Sequence, residues 1–214
     1  MQANILIVDD HSVVRDGLGM ILGSQDDMNV VGEARDGREA LAKSAELRPD
    51  VIIMDIAMPE LNGIEATRLI CESLPSVKVI ILSMHHTHEH FYRALRAGAW
   101  GYILKESAGS EVVKAVRAVM KGQHYLGKGV DAPHATDLPK DNAFHKSPLD
   151  RLSQREREVL QLVAEGKASA EIADILSLSP KSVETYRSRL MVKLGVNNIP
   201  SLVKFALLHG ITSI

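Results

Sequence analysis

Short apolar runs that end abruptly in a polar side chain recur through the first half of the chain, and they constrain the fold more than any other feature. Asn4 to Val8 ends in Asp9-Asp10, Val51 to Met54 in Asp55, Val77 to Leu82 in Ser83, and Trp100 to Leu104 in Lys105. A run that is apolar at every position reads as a strand covered on both faces, as in a parallel sheet. Helical spacing fills the intervals. Ser12 precedes a pattern through Val13, Val14, Leu18, Ile21 and Leu22; a second strand, Met28 to Val31, leads through Gly32 to a helix with Ala40, Leu41, Ala45 and Leu47 inward. A helix starts at Asn62-Gly63 and runs to about Ser73, another passes through Phe91, Leu95 and Ala99, and a last one carries Val112, Val113, Val116, Val119 and Met120. Five strands alternating with five helices imply an α/β fold with a doubly wound parallel sheet.

In such a sheet the carboxyl ends of the strands share one rim, where ligands bind. Asp9, Asp10, Asp55, Ser83 and Lys105 therefore meet there. Three carboxylates in close reach repel one another and raise their pKa values unless a cation sits among them. A hard divalent ion such as Mg²⁺, which takes oxygen ligands and keeps several waters, answers that need. A lysine and a hydroxyl beside it complete a pocket for a dianionic group, and phosphoryl fits best.

Asp9-Asp10, Met54-Asp55 with Met58-Pro59, Ser83, and Lys105 at the end of Gly101-Tyr102-Ile103-Leu104 resemble the receiver domain of two-component response regulators, over about residues 3–122. The resemblance implies a flavodoxin-like five-stranded sheet in the order 2-1-3-4-5. It implies that Asp55 accepts phosphate from a sensor histidine kinase, with Mg²⁺ held by Asp10, Asp55 and the backbone carbonyl of Ala57. Asp9 would act through the metal's water shell, Lys105 would pair with one phosphoryl oxygen, and Ser83 would hydrogen-bond another. A phosphoryl group adds charge and three acceptor oxygens, enough to draw Ser83 inward and let the aromatic Tyr102 fill the space it leaves. Receivers commonly carry proline after the lysine, in a cis bond; Glu106 stands here.

From about Gly122 to Leu149 periodic apolar content disappears and glycines, prolines and isolated charges take over, which reads as a linker with short local structure around Tyr125-Leu126. A second unit follows. Ser153-Gln154-Arg155-Glu156 is a capping box opening a helix with Val159, Leu160, Leu162 and Val163 inward, ended by Gly166. Ala170 to Leu176 is a short helix, Ser177-Leu178 the turn, and Ser179-Pro180 an N-cap with proline at the first helical position. The helix from Pro180 to Leu194 turns Val183, Tyr186, Leu190 and Leu194 inward and Lys181, Glu184, Thr185, Ser188 and Arg189 outward. A final helix runs from Pro200 to His209. Two helices on a tight turn, the second basic on its open side, form the helix-turn-helix pattern that lays its second helix in the DNA major groove.

Leu152 to Leu160, Glu171-Ile172-Ala173, Ser182-Val183-Glu184-Thr185-Tyr186 and Lys193-Leu194-Gly195-Val196 resemble the LuxR-type DNA-binding domain over about residues 149–211. Joined to a receiver, this segment is similar to the NarL/FixJ class. The resemblance implies base contacts from Glu184, Thr185 and Ser188, with Lys181, Arg187, Arg189 and Lys193 near phosphates. Many members carry lysine where Glu184 stands; a glutamate can instead accept from a cytosine N4 amino group, or simply pair with Ser188 or Lys181.

The expected organisation is a receiver over 1–122, a linker over 123–148 and an all-α, four-helix DNA-binding domain over 149–214. Charge differs only modestly between the two parts, and the basic excess that fits a nucleic-acid partner lies within 181–204, where Lys181, Arg187, Arg189, Lys193 and Lys204 face a single acid, Glu184. Residues 148–214 hold 9 Lys+Arg against 7 Asp+Glu, leaving 16 against 20 for residues 1–147. Cys71, the single cysteine, excludes an internal disulfide framework and fits a reducing compartment. No basic leader or membrane-length apolar run is present, so the expected location is the cytoplasm. The tract Met84 to Glu89-His90 holds four of the nine histidines; it can bind Zn²⁺ or Ni²⁺, or be a solvated loop and helix start. The expectation is a transcription factor, not an enzyme, that dimerises on phosphorylation and binds double-stranded DNA, with no membrane partner. An aspartyl-phosphate hydrolase is the enzyme alternative, disfavoured because Ala57 stands where a second acid would be needed. A receiver that works without phosphate is the third.

Overall fold

Six parallel strands form one sheet: β1 (Ala3–Val8), β2 (Met28–Ala34), β3 (Val51–Asp55), β4 (Lys78–Ser83), β5 (Gly101–Leu104) and β6 (Tyr125–Leu126), in the order β2-β1-β3-β4-β5-β6. The structure is a computed structural model and describes residues 2–84, 88–130 and 147–212. Helices α1 (Ser12–Gly23), α2 (Gly37–Leu47), α3 (Gly63–Ser73), α4 (His88–Arg96) and α5 (Ala108–Met120) cover its two faces. Every residue of β3 is buried, because one face packs on α2, α3 and α4 and the other on α1 and α5. Leu6, Ile52, Met54 and Ile81 belong to the first core layer, and Ile5, Ile7, Ile53 and Ile80 to the second. Burial on two sides is why alternation is absent from these strands.

Several expectations shift. The sheet gains a sixth strand inside the segment read as linker: Tyr125 N–H donates to the carbonyl of Trp100 at 3.0 Å and Gly127 N–H to that of Tyr102 at 2.8 Å. Gly32 lies within β2, not beyond it, and the pairing with β1 slips between Ile5 and Leu6. Val13 is 81% exposed, since the buried row of α1 runs Val14, Leu18 and Leu22 and Val13 stands one position off it. On α2, Ala45 faces solvent and Ser44 is buried, its hydroxyl satisfied by the carbonyl of Leu41 at 2.9 Å. Met120, at the end of α5, is exposed. The Lys105–Glu106 bond is trans, as are all peptide bonds of the described residues.

A second compact unit lies C-terminal to residue 135. After a 3-10 turn at Pro148–Arg151 come α6 (Gln154–Ala164), α7 (Ser169–Leu176), α8 (Pro180–Leu194) and α9 (Ile199–Leu208). The capping box forms on both sides: Glu156 N–H donates to Ser153 Oγ at 3.3 Å and Ser153 N–H to Glu156 Oε2 at 2.7 Å. Ser177, left-handed at φ 53°, turns the chain between α7 and α8. Ser179 then accepts from Ser182 N–H at 3.1 Å to start α8, and Gly195, at φ 68°, ends it. Val159, Leu162, Ile172, Val183, Leu190 and Leu202 form the centre of this unit's own core. The stretch expected as linker falls largely on residues 131–146, outside the described residues.

Candidate functional site

The parallel register brings the polar strand ends to one rim. Asp55 pairs with Leu82 across β3 and β4, and Ser83 with Leu104 across β4 and β5. Lys105 follows directly, in a 3-10 turn over Lys105–Ser107. Its ammonium reaches back to 2.8 Å from Asp9 Oδ2 and 2.9 Å from Asp55 Oδ2. Asp9 and Asp55 are 0% and 2% exposed, whereas Asp10 is open to solvent.

Local structure fixes each group. Asp9 Oδ1 accepts from His11 N–H at 2.9 Å, and the Asp9 carbonyl accepts from Arg15 at 2.7 Å, with Arg15 braced by Glu33 at 3.0 Å. Beyond Asp55 the chain crosses Ala57, half-buried in a bend, and returns so that Gly63 N–H bonds the Ile56 carbonyl at 2.9 Å. Gly63 is required there. A Cβ at that position would stand 1.8 Å from the Asp55 carbonyl oxygen.

Burial pushes the Asp55 carboxyl up to about 6, with the neighbouring Asp9 charge adding to it and Lys105 opposing. Burial pulls the Lys105 ammonium down, but the Asp55 and Asp9 carboxylates outweigh it and hold the ammonium above its usual range. The Lys105 ammonium thus bridges the two buried carboxylates through Asp9 Oδ2 and Asp55 Oδ2. Among the described residues, Asp9, Asp10, His11 and Asp55 place one donor atom each within 4.8 Å of one another, and this mainly carboxylate set suits a hard cation. His11 is a member that strand-end reasoning passed over; its Nδ1 lies 2.7 Å from Asp10 Oδ1 and 3.2 Å from Asp9 Oδ1. Its adjacency to the two acids was the available signal.

Ser83 is fully buried and its side chain is hydrogen-bonded to that of Tyr102. Tyr102 already points inward, 1% exposed and edge-on to Phe91 at 5.7 Å between ring centres. Burial pushes its hydroxyl up to about 12. Of the histidine tract, residues 85–87 lie outside the described residues; His88 and His90 are on α4, His90 buried.

In the second unit α8 presents Lys181, Glu184, Thr185, Ser188 and Arg189 to solvent, with Arg187 at the edge. The Thr185 hydroxyl is spent on the Lys181 carbonyl at 2.9 Å. Glu184 bonds neither Ser188 nor Lys181: its Oε1 accepts from Ser169 Oγ on α7 and from Arg187 Nη2, both at 3.2 Å. Lys193 is turned toward α6, its Nζ 2.7 Å from Glu156 Oε2. Burial alone would raise the Glu156 carboxyl, but Lys193 and Ser153 hold it below its usual range.

Residues 5–117 match the response regulator receiver domain, and residues 150–206 match the bacterial regulatory proteins of the luxR family. The chain is 43% identical over 212 residues to the oxygen regulatory protein NreC of Staphylococcus haemolyticus, covering 95% of this chain and 96% of that one. The chain is a LuxR-type response regulator. Among solved structures, the RcsB response regulator of Salmonella typhimurium matches this regulator with TM-score 0.65 at 30% identity, over 99% of each chain. The two-component response regulator RcsB–DNA complex matches with TM-score 0.58 at 31% identity, over 96% of this chain and 98% of that one. The regulator is thus a DNA-binding transcription regulator and not an enzyme. No helix among its described residues is long and apolar enough to cross a membrane.

Proposed function

We propose that this response regulator is a cytoplasmic transcription factor switched by phosphorylation of Asp55, with a receiver over residues 1–122, a linker over 123–148 and a DNA-binding domain over 149–214. The observation that carries the reading is Asp55 itself: a nearly buried carboxylate, 2.9 Å from Lys105 Nζ, beside two further acids at a strand end. At neutral pH a carboxyl titrating near 6 is mostly ionised yet more basic than a free aspartate, which favours nucleophilic attack. A carboxylate oxygen of Asp55 forms a P–O bond as the P–N bond of a sensor kinase's phosphohistidine breaks; the electron pair leaves with the imidazole, which takes up a proton. Lys105 then pairs with a phosphoryl oxygen, and Ser83 turns its hydroxyl from Tyr102 to another. Mg²⁺ would be held by Asp10, Asp55 and the Ala57 carbonyl, with Asp9 reached through water, and when bound it neutralises charge on the phosphoryl oxygens.

The phosphorylated form would dimerise and place two α8 helices on a two-fold DNA site, with Lys181, Arg187 and Arg189 near phosphates and Glu184, Thr185 and Ser188 toward base edges. The DNA complex of RcsB and the structure of two RcsB dimers bound to two parallel DNAs support this mode. Lys193 is engaged by Glu156 and serves the unit's own packing.

Incubation with a small phosphodonor and Mg²⁺, read by intact mass, tests the site. Wild-type protein gains one phosphoryl group and Asp55→Asn gains none. Labelling of the variant would move the acceptor elsewhere.

A further inference from the structure

The bridge between α7 and α8 serves no purpose in phosphorylation, and its geometry is unlike an ordinary surface ion pair. An exposed Glu–Arg pair three residues apart on one helix contributes little by itself. Here a hydroxyl from a different helix joins it. Ser169 Oγ donates to Glu184 Oε1 at 3.2 Å, Arg187 Nη2 donates to the same oxygen at 3.2 Å, and Arg187 Nη1 stands 3.5 Å from Ser169 Oγ. Both donors use Oε1. Oε2 takes no hydrogen bond among the described residues, and the Glu184 side chain is 57% exposed on the outer face of α8.

We infer that Ser169 and Arg187 hold Glu184 so that Oε2 reads a cytosine in the DNA major groove, making Glu184 the base-specificity residue of α8 and Ser169 its positioning residue. The inference rests on α8 being the helix that enters the groove. A carboxylate can only accept, and the major-groove donors are the cytosine N4 and adenine N6 amino groups. Adenine sets its N7 lone pair beside N6, which repels a carboxylate, whereas cytosine sets a C–H beside N4. Arg187 offsets the negative charge that would otherwise oppose approach between two phosphate strands. Freezing the side chain before binding also removes an entropy cost that a flexible glutamate would carry into the complex. Thr185, whose hydroxyl proton is already committed, is not a competing donor at this position.

The test uses full-length protein treated with phosphodonor. Binding sites are selected from a randomised duplex pool, and affinities are then measured on duplexes with each base pair replaced in turn. Wild type is expected to prefer cytosine at one position of each half-site by about tenfold. Glu184→Ala should lose the preference at that position and keep the others. Ser169→Ala should weaken it several-fold with melting temperature and affinity for non-specific DNA unchanged, and Ser169→Thr should restore it. Glu184→Ala selecting the same sequence as wild type would overturn the inference, as would Ser169→Ala behaving like wild type at that position. Wild-type protein that selects no sequence at all would instead defeat the DNA-binding reading on which the inference stands.

Discussion

Asp55 is a carboxylate placed where its own charge is disfavoured. Its folded value of about 6 lies above the ordinary 3.8, chiefly through burial. For an acid shifted upward, the stability contribution is present in full below 3.8, is lost as pH rises to about 6, and is flat above. The shift corresponds to a loss of at most ~3 kcal/mol. Asp55→Asn removes the charge without changing shape, so in chelator at pH 7.5 the variant should unfold at higher urea than wild type. Near pH 3.5 the two should coincide. Equal midpoints at both pH values would mean that the charge costs the fold nothing. Adding Mg²⁺ should narrow the gap at pH 7.5, because a ligand that binds only the wild-type folded state stabilises it. A functional acid held at a cost to stability is the usual compromise at such sites.

At the scale of elements, the site depends on how closely α3 approaches the end of β3. Asn62 caps the helix, accepting from Glu65 N–H at 3.1 Å, and Gly63 lets the first turn lie against the Asp55 backbone. Backbone cannot yield as a side-chain tip can. Gly63→Ala should therefore destabilise the receiver by about 2 kcal/mol or more, despite alanine's better helix propensity. Thermal unfolding followed in the far ultraviolet would show it, and an unchanged midpoint would mean that the loop from Ile56 to Asn62 relaxes freely. Phosphate uptake should fall in the same variant, since the displaced atom is the carbonyl of the acceptor residue. The capping box of α6 does similar positioning in the other unit, where Glu156 serves the cap and also receives Lys193.

For the whole molecule, the two units divide the labour of signal and output, and DNA affinity should be dominated by phosphate contacts. Binding should weaken linearly on a double-logarithmic plot between about 50 and about 200 mM salt. Lys181→Ala should reduce the slope by about 2 in a dimer, one phosphate contact being lost per protomer. Lys193→Ala should leave the slope unchanged and lower the melting temperature, because its ammonium is paired with Glu156 of α6. Fluorescence anisotropy on one duplex with both variants distinguishes these outcomes; a reduced slope for Lys193→Ala would return that residue to the DNA face.

How much of this was legible in the linear chain follows from the range of each force. Strand ends at Asp9, Asp55, Ser83 and Lys105 could be read because a strand buried on both faces must be apolar throughout, and a charge can stand only where the run stops. The helices α3, α6 and α8 could be read from Asn62, Ser153 and Ser179, since a cap satisfies its own helix within three residues. The two residues of β6 carry no such signature. They are a strand because the open edge of β5 offers the carbonyls of Trp100 and Tyr102, and because Glu111, a buried residue of α5, accepts from Lys128 N–H at 2.9 Å. Ser169 and Glu184 lie 15 positions apart, and Glu156 and Lys193 lie 37 apart; each pair meets only through helix packing. The sequence by itself determined the sheet, its reactive rim and the helix-turn-helix, all set by local periodicity and burial. Which partner a charge takes on another element was decided by tertiary structure alone, because a salt bridge between elements depends on a distance that no local pattern encodes.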